Sequence, residues 1–253
     1  MRNYKLFYGF ALVFLAGVIL FLGSTVSRSS FFNNEPHGNA VLQDSLSITG
    51  VSQLSSDCNC DIIIIPSDNE RVVFYYDKKL FKNLTEVSGS KLNINFKSNK
   101  HLIFGYNSSN GNEVTIKVYT NKLNSITQDG IGTIESSGIL NADEMKILND
   151  GVGSMTLNLN VKKITVDNSG VGSIEMKGNA IHAEMNNNGT GSIDAINLVN
   201  KYAKVNNSGV GSIDVNATNS LDMSNTGVGG INYTGSAVIT NINSEGIGTI
   251  SKQ

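Results

Sequence analysis

The chain is 253 residues long with a formal net charge of −2, and it carries 26 glycines, two cysteines and no tryptophan. So small a net charge gives no electrostatic basis for binding nucleic acid, and no such partner is expected. Beyond its N-terminal segment the sequence is low in charge but regularly strand-patterned, which excludes disorder, and it is long enough for one sizeable core.

Met1-Arg2-Asn3-Tyr4-Lys5 precedes an apolar run from Leu6 to Gly23. Basic residues ahead of an apolar stretch mark an export signal. This run is about as long as the shortest membrane-spanning helices and longer than most signal cores. Thr25-Val26-Ser27 is a poor cleavage site, and no cysteine follows the run to take a lipid. Residues 1–23 are therefore expected to form an uncleaved single-pass helix that meets the membrane through residues 6–23, the alternative being a signal cleaved on secretion. With Arg2 and Lys5 held inside, the rest of the chain faces the periplasm or the cell exterior. Residues 24–40 read as a linker, and no later stretch is apolar enough to cross a bilayer.

From residue 41 to 127 the candidate strands are Ser45–Ile48, Cys60–Ile65, Arg71–Tyr76, Lys91–Phe96, Leu102–Phe104 and Glu113–Tyr119. The run Asp61-Ile62-Ile63-Ile64-Ile65 lacks alternation, which predicts a strand covered on both faces. Pro66-Ser67-Asp68-Asn69 then turns the chain. We expect these strands to form wider, irregular coils that cap a more regular C-terminal half.

Residues 128–253 hold a phrase that returns seven times: GIGTI at 130, GVGSM at 151, GVGSI at 170, GTGSI at 189, GVGSI at 209, GVGGI at 227 and GIGTI at 246. Its first glycines are 21, 19, 19, 20, 18 and 19 residues apart. Self-similarity at such a period means one unit copied and stacked. Four residues before the glycine stand Ile126, Ile147, Val166, Met185, Val205, Met223 and Ile242, and four after it Ile134, Met155, Ile174, Ile193, Ile213, Ile231 and Ile250. Apolar residues also fill most positions six before and six after, while Glu135, Glu175, Asp194, Asp214, Lys146, Glu184 and Lys204 occupy the alternate ones. Period two marks strands with one buried face, so each copy reads as two short strands joined at a G-x-G corner. The expected fold is all-β: a single-stranded right-handed parallel β-helix of about 19-residue coils, since parallel crossovers are overwhelmingly right-handed and a left-handed solenoid would keep a strict six-residue rhythm.

Two residues before the glycine lie Asn149, Asn168, Asn187, Asn207 and Asn225, facing inward by the same alternation. An amide stacked on an amide can donate to its neighbour's carbonyl along the column, and these five read as a structural ladder. After Ile250 only Ser251-Lys252-Gln253 remain, leaving an open coil whose backbone invites pairing with a second copy or another partner.

Few residues argue for chemistry. No G-x-G copy continues into a phosphate-binding fingerprint, and calcium nonapeptides need a nine-residue period; no cofactor is expected. Glu175, Asp194 and Asp214 would stack outward at about 5 Å, where a cation can bridge them; the plainer reading is that Lys177, Lys204 and water screen the row. Cys58 and Cys60 share a strand face and lack the spacing and companions of a metal site; they are incidental or locally bridged thiols, or else a labile redox pair. His37, His101 and His182 are scattered, with His182 in a turn between strands, so no Ser/His/Asp set can be built. The aromatics Phe74, Tyr75, Tyr76, Phe81, Phe96, Phe104, Tyr106 and Tyr119 read as core filling, with sugar stacking by an exposed few as the alternative.

Several of these stretches, taken in order, resemble the putative auto-transporter adhesin, head GIN domain family of bacterial envelope proteins. The resemblance runs from Leu46-Ser47-Ile48-Thr49-Gly50 through Ile62–Pro66 with Asp68-Asn69-Glu70, and on to Gly89-Ser90-Lys91-Leu92-Asn93-Ile94. Val114-Thr115-Ile116-Lys117-Val118, Leu123, Ile126 and the glycine phrases come next, and Gly230-Ile231-Asn232 spells the family's name. It implies a parallel β-helix without catalytic residues and an adhesion or scaffolding role, with a glycan or protein partner on the helix face. The competing class is a polysaccharide lyase or hydrolase on the same scaffold, which needs paired carboxylates or a calcium site in a groove.

Overall fold

The computed structural model describes residues 42–98 and 114–253. The expected anchor (1–23), the linker (24–40) and the strand Leu102–Phe104 lie outside the described residues. Among the described residues there is no helix; sixteen strands join one continuous sheet and two more form a separate pair.

The glycine repeats wind into a β-solenoid of coils about nineteen residues long. Strands Ile131–Asn149, Val152–Asn168, Val171–Asn187, Thr190–Asn207 and Ile213–Asn225 pair in parallel, each with the next, so that equivalent positions stack: Ile174 on Ile193 on Ile213, and Met145 on Ile164 on Ala183. Two short strands per copy were expected. Instead each full copy is one bent strand of up to 19 residues, because pairing with the neighbouring coil continues through the bend. The breaks fall just ahead of the phrase, at Asp150-Gly151, Ser169-Gly170 and Asn188-Gly189. Even there the ladder goes on, with the amides of Asp150 and Gly151 both donating to Gln128 O at 2.9 Å and Val152 N to Gly130 O at 2.9 Å.

Glycine is required at this bend. Gly172 has φ +142°, and a Cβ there would fall on the carbonyl oxygen of Gly153 in the adjoining coil. A side chain is thus excluded twice, by backbone conformation and by space.

The core is the inside of the coils. Ile134, Ile147, Met155, Ile164, Val166, Ile174, Met185, Ile193, Val205, Ile213, Met223 and Ile231 are all 2% exposed or less. The last coil departs from this pattern: Ile242 belongs to an apolar row that is buried elsewhere, yet it is 53% exposed. Its strand, Val238–Ser244, pairs only with Ile213–Asn225 among the described residues.

The repeat begins one copy before the first glycine phrase. Ser125–Gln128 lies in parallel register on Gln53–Ser56, and Ile134–Ser136 on Ile62–Ile64. Asn59 bridges Ile131 between them, so Cys58-Asn59-Cys60 occupies the corner that Gly130-Ile131-Gly132 occupies in the next coil. Beneath this coil lie Lys91–Ile94 and Thr115–Tyr119, also parallel. Arg71–Tyr75 then joins antiparallel to Thr115–Tyr119, and Leu42–Ser47 antiparallel to Arg71–Tyr75. No strand of the described residues pairs beneath Cys58–Cys60 itself, since Phe96–Ser98 turns away to pair with Phe81–Asn83. Cysteines thus stand where later copies have glycine. Ile62 and Ile64 are fully buried while Ile63 and Ile65 are only half-buried, so the isoleucine strand has one core face rather than two.

Candidate functional site

The five inward amides form one column. Nδ2 of Asn149 donates to Oδ1 of Asn168 at 2.8 Å, Asn168 to Asn187 at 2.9 Å, Asn187 to Asn207 at 2.9 Å and Asn207 to Asn225 at 3.1 Å. The same nitrogens of Asn187, Asn207 and Asn225 also reach the carbonyls of Gly191, Gly211 and Gly229 at 3.2, 3.0 and 2.9 Å, tying each bend to the rung it follows. Gln128 precedes the column, but its Nε2 turns to Gly132 O (2.7 Å), and Asn149 Oδ1 meets no donor among the described residues. All five asparagines are 1% exposed or less.

The acidic residues Glu175, Asp194 and Asp214 do stack in consecutive register. Asp214 accepts from Asn232 Nδ2 at 2.7 Å, and Asp194 from the amide of Ile196 at 3.3 Å. Lys204 lies elsewhere, in register between Glu184 and Asp222, because the chain turns a corner between Asp194 and Lys204. Among the described residues no three His, Cys, Asp or Glu side chains converge as metal ligands would. Nearby, burial foremost and then the charges of Asp61 and Glu175 hold the Glu135 carboxyl above its usual range. Asp61 itself accepts from the amide and hydroxyl of Thr133 at 2.9 and 2.7 Å.

Cys58 and Cys60 are joined in a disulfide, which resolves the choice between free and bridged thiols. Both are nearly buried, and Ser56 Oγ, at the level of the amide column, lies 3.5 and 3.6 Å from their sulfurs. Of the N-terminal aromatics, Phe74 and Tyr76 are buried and pack on Phe96, with ring centroids 5.9 and 5.0 Å apart, while the Arg71 guanidinium lies 3.8 Å over the Tyr119 ring. Phe104 and Tyr106 are outside the described residues.

Two exposed features escaped the sequence reading. The first is the middle residue of each G-x-G. Ile131, Val152, Val171, Thr190, Val210, Val228 and Ile247 stack rung upon rung. Its aliphatic members are 38 to 76% exposed. They form an apolar ridge beside a shallow groove of about 610 Å³ whose polar wall is Ser169, Asn188, Ser208, Thr226 and Glu245. The signal was in the repeat: an aliphatic in six of seven copies at a position no inward row uses. The second is an aromatic pair. His182 lies inside the strand Val171–Asn187 rather than in a turn, and its ring stacks on Tyr202 with centroids 4.9 Å apart and planes 14° from parallel. Aligning the copies on the following glycine, instead of the preceding one, puts Lys163, His182, Tyr202 and Ser220 in one row.

The family model for the putative auto-transporter adhesin, head GIN domain matches residues 52–237. The chain belongs to that family. Solved structures similar to this head GIN domain include a putative adhesin from Bacteroides fragilis, 26% identical, covering 83% of this chain and 95% of its own with a TM-score of 0.76. A putative adhesin from Parabacteroides merdae is 20% identical over 85% of this chain and 98% of its own, TM-score 0.63. A putative lipid binding protein from Parabacteroides distasonis is 22% identical over 83% and 96%, TM-score 0.58. The last two show the fold alone. No curated protein matches the sequence.

Proposed function

We propose that this chain is a non-catalytic adhesion protein of the bacterial cell envelope. In this reading residues 6–23 hold it in a membrane as a single pass, and a right-handed solenoid facing the periplasm or the cell exterior presents its outer faces to a partner. The observation that carries the reading is the apolar ridge. Single exposed aliphatics are ordinary, but Val152, Val171, Val210 and Val228 share one line with Ile131 and Ile247, interrupted by Thr190 alone, and an exposed apolar strip of this length marks an interaction surface. Its flank carries hydroxyls and amides in the middle copies (Ser169, Asn188, Ser208, Thr226) and carboxylates in the outer ones (Asp129, Asp150, Glu245), an apolar line with a polar rim as protein interfaces have. The occupant of the ridge is accordingly a protein surface. The adhesin names borne by similar structures support the same class.

The test displays the full chain on cells and replaces Val152, Val171, Val210 and Val228 together by serine. Attachment to host or neighbouring-cell protein should fall with no change in melting temperature, because these side chains leave the core intact. Unchanged attachment rejects the reading. Self-association belongs to it as well: the outer edges of Val238–Ser244 and Ile250–Lys252 pair with no other strand among the described residues. A monomeric mass by light scattering at every concentration rejects that part.

A further inference from the structure

On the face that carries the row Lys163, His182, Tyr202, Ser220 and Val238, the rungs differ in height. His182 covers one face of the Tyr202 ring. The next rung is Ser220, too short to cover the other face, and the rung after that is Val238, 70% exposed. Tyr202 and Val238 are two rungs apart, about 9.6 Å at the spacing of paired strands, which leaves room over Ser220 for a flat ring one layer thick. Tyr202 is itself 40% exposed, and Asn219 Nδ2 meets its hydroxyl at 3.4 Å. The opening belongs to a groove of about 310 Å³ whose rim carries Lys163, Glu184, Lys204 and Asp222. A second groove of about 600 Å³, holding the Asn160–Asn141 amide pair and the Lys162–Asp143 ion pair, adjoins it in the chain at Lys162, Ile181 and Lys201.

The geometry points to a saccharide site: one pyranose of a neutral glycan chain stacks its C–H face on Tyr202 above Ser220, with further residues of the chain running toward the second groove. An aromatic face beside hydrogen-bonding groups suits a ligand that is apolar on its faces and hydroxylated at its edges. Two lysines and two carboxylates on the rim cancel, and the second groove adds only Lys201 beyond its Lys162–Asp143 pair, so the site offers hydrogen bonds of both senses with too little positive charge to attract a polyanion. The inference rests on the reading of this chain as an outward-facing binding protein, and places the sugar on a different face from the ridge.

The full chain is screened against neutral oligosaccharides (malto-, cello-, chito- and manno-hexaoses) and against heparin and polygalacturonate. At least one neutral hexaose should bind. Tyr202→Ala should weaken it about tenfold, the loss of one stacking contact, and Ser220→Phe, which fills the slot while keeping Tyr202, should abolish it. The ridge variant Val210→Ser should bind the sugar normally. No neutral binding, binding to the polyanions alone, or neutral binding that survives both Tyr202→Ala and Ser220→Phe overturns the site. Cell attachment lost in the ridge variant but intact in Tyr202→Ala and Ser220→Phe, alongside a failed screen, refutes the sugar site and leaves the adhesion reading standing. Sugar binding lost in both of these variants, with attachment untouched by any variant, does the reverse.

Discussion

Removing a single rung of the amide column tests the architecture directly. In Asn187→Ala, Asn168 Nδ2 loses its acceptor and Asn207 Oδ1 its donor, two partners now 2.9 Å from Asn187 on either side. Gly191 O loses a bond of 3.2 Å as well. Asn168 and Asn207 are 0 and 1% exposed, so no solvent reaches the groups left behind. A buried polar group stranded this way costs about 1–3 kcal/mol, so the two together cost about 2–6 kcal/mol, a large part of the margin of about 5–15 kcal/mol of an ordinary domain. For a chain of this size that is a fall in melting temperature of about 5–20 °C. Asn206→Ala supplies the comparison. Asn206 points outward and donates to Asn186 Oδ1 at 2.9 Å in a half-buried position, where the loss should stay within about 1 kcal/mol. Thermal unfolding by far-ultraviolet circular dichroism reads both. If Asn187→Ala melts within about 2 °C of Asn206→Ala, the column is not what holds the bends together, and the reasoning fails.

Ile193→Asn places an amide in a fully buried apolar row and should cost several kcal/mol, whereas Asp194→Asn beside it should change the unfolding free energy from urea titration by less than about 0.5 kcal/mol; equal effects would contradict the inward and outward assignment. Glu135 holds its proton more tightly folded than unfolded, because burial and then Asp61 and Glu175 raise its pKa above 4.5; stability should therefore fall as pH rises from 4.5 through the raised value, and Glu135→Gln should flatten that fall and be the more stable form at neutral pH. Glu70 is the opposite case: the Gly50 amide foremost, against the pull of burial, and then Lys122 lower its pKa below 4.5. Its stabilisation is present above 4.5 and lost as pH falls through the lowered value, so Glu70→Gln should melt earlier at neutral pH and lose less on acidification.

What was legible in the sequence was whatever obeyed the period. Ile174, Ile193 and Ile213 announce an inward row because alternation and repeat agree, and the asparagines two residues before each glycine fall inward by the same count. The corner residue Val171 escaped because it lies between two glycines, where period-two reasoning assigns a face but gives no reason for the choice of an aliphatic. Tyr202 and His182 escaped because they stand seven residues before a glycine, one beyond the rows read back from it, and because their neighbours in that row, Lys163 and Ser220, share no chemistry with them. The first copy was hidden by distance and by chemistry together. Leu54 and Ile126 are stacked neighbours, yet the chain between them builds a further coil and its antiparallel strands, and the marker residue at the corner is cysteine.

That substitution of cysteine for glycine yields a last prediction. In the stacked copies a Cβ at the corner collides with the adjoining coil's carbonyl, as Gly172 does with Gly153 and Gly130 with Cys58. At the same corner of the first copy the two cysteines carry side chains, and a substitution there removes the covalent ring and two buried sulfurs. The ring closes three residues, and chain entropy gives so short a loop about 1–2 kcal/mol. Cys58→Ala with Cys60→Ala should therefore fold and lose about 2–4 kcal/mol, ring and buried sulfurs together, while Gly172→Ala, a single methyl two coils further along the repeat from Gly130, should abolish folding. Circular dichroism melts of the two variants side by side separate the cases. An alanine pair that fails to fold, or a Gly172→Ala that melts like the native chain, would show that the corner's glycines are set by something other than the coil next to them.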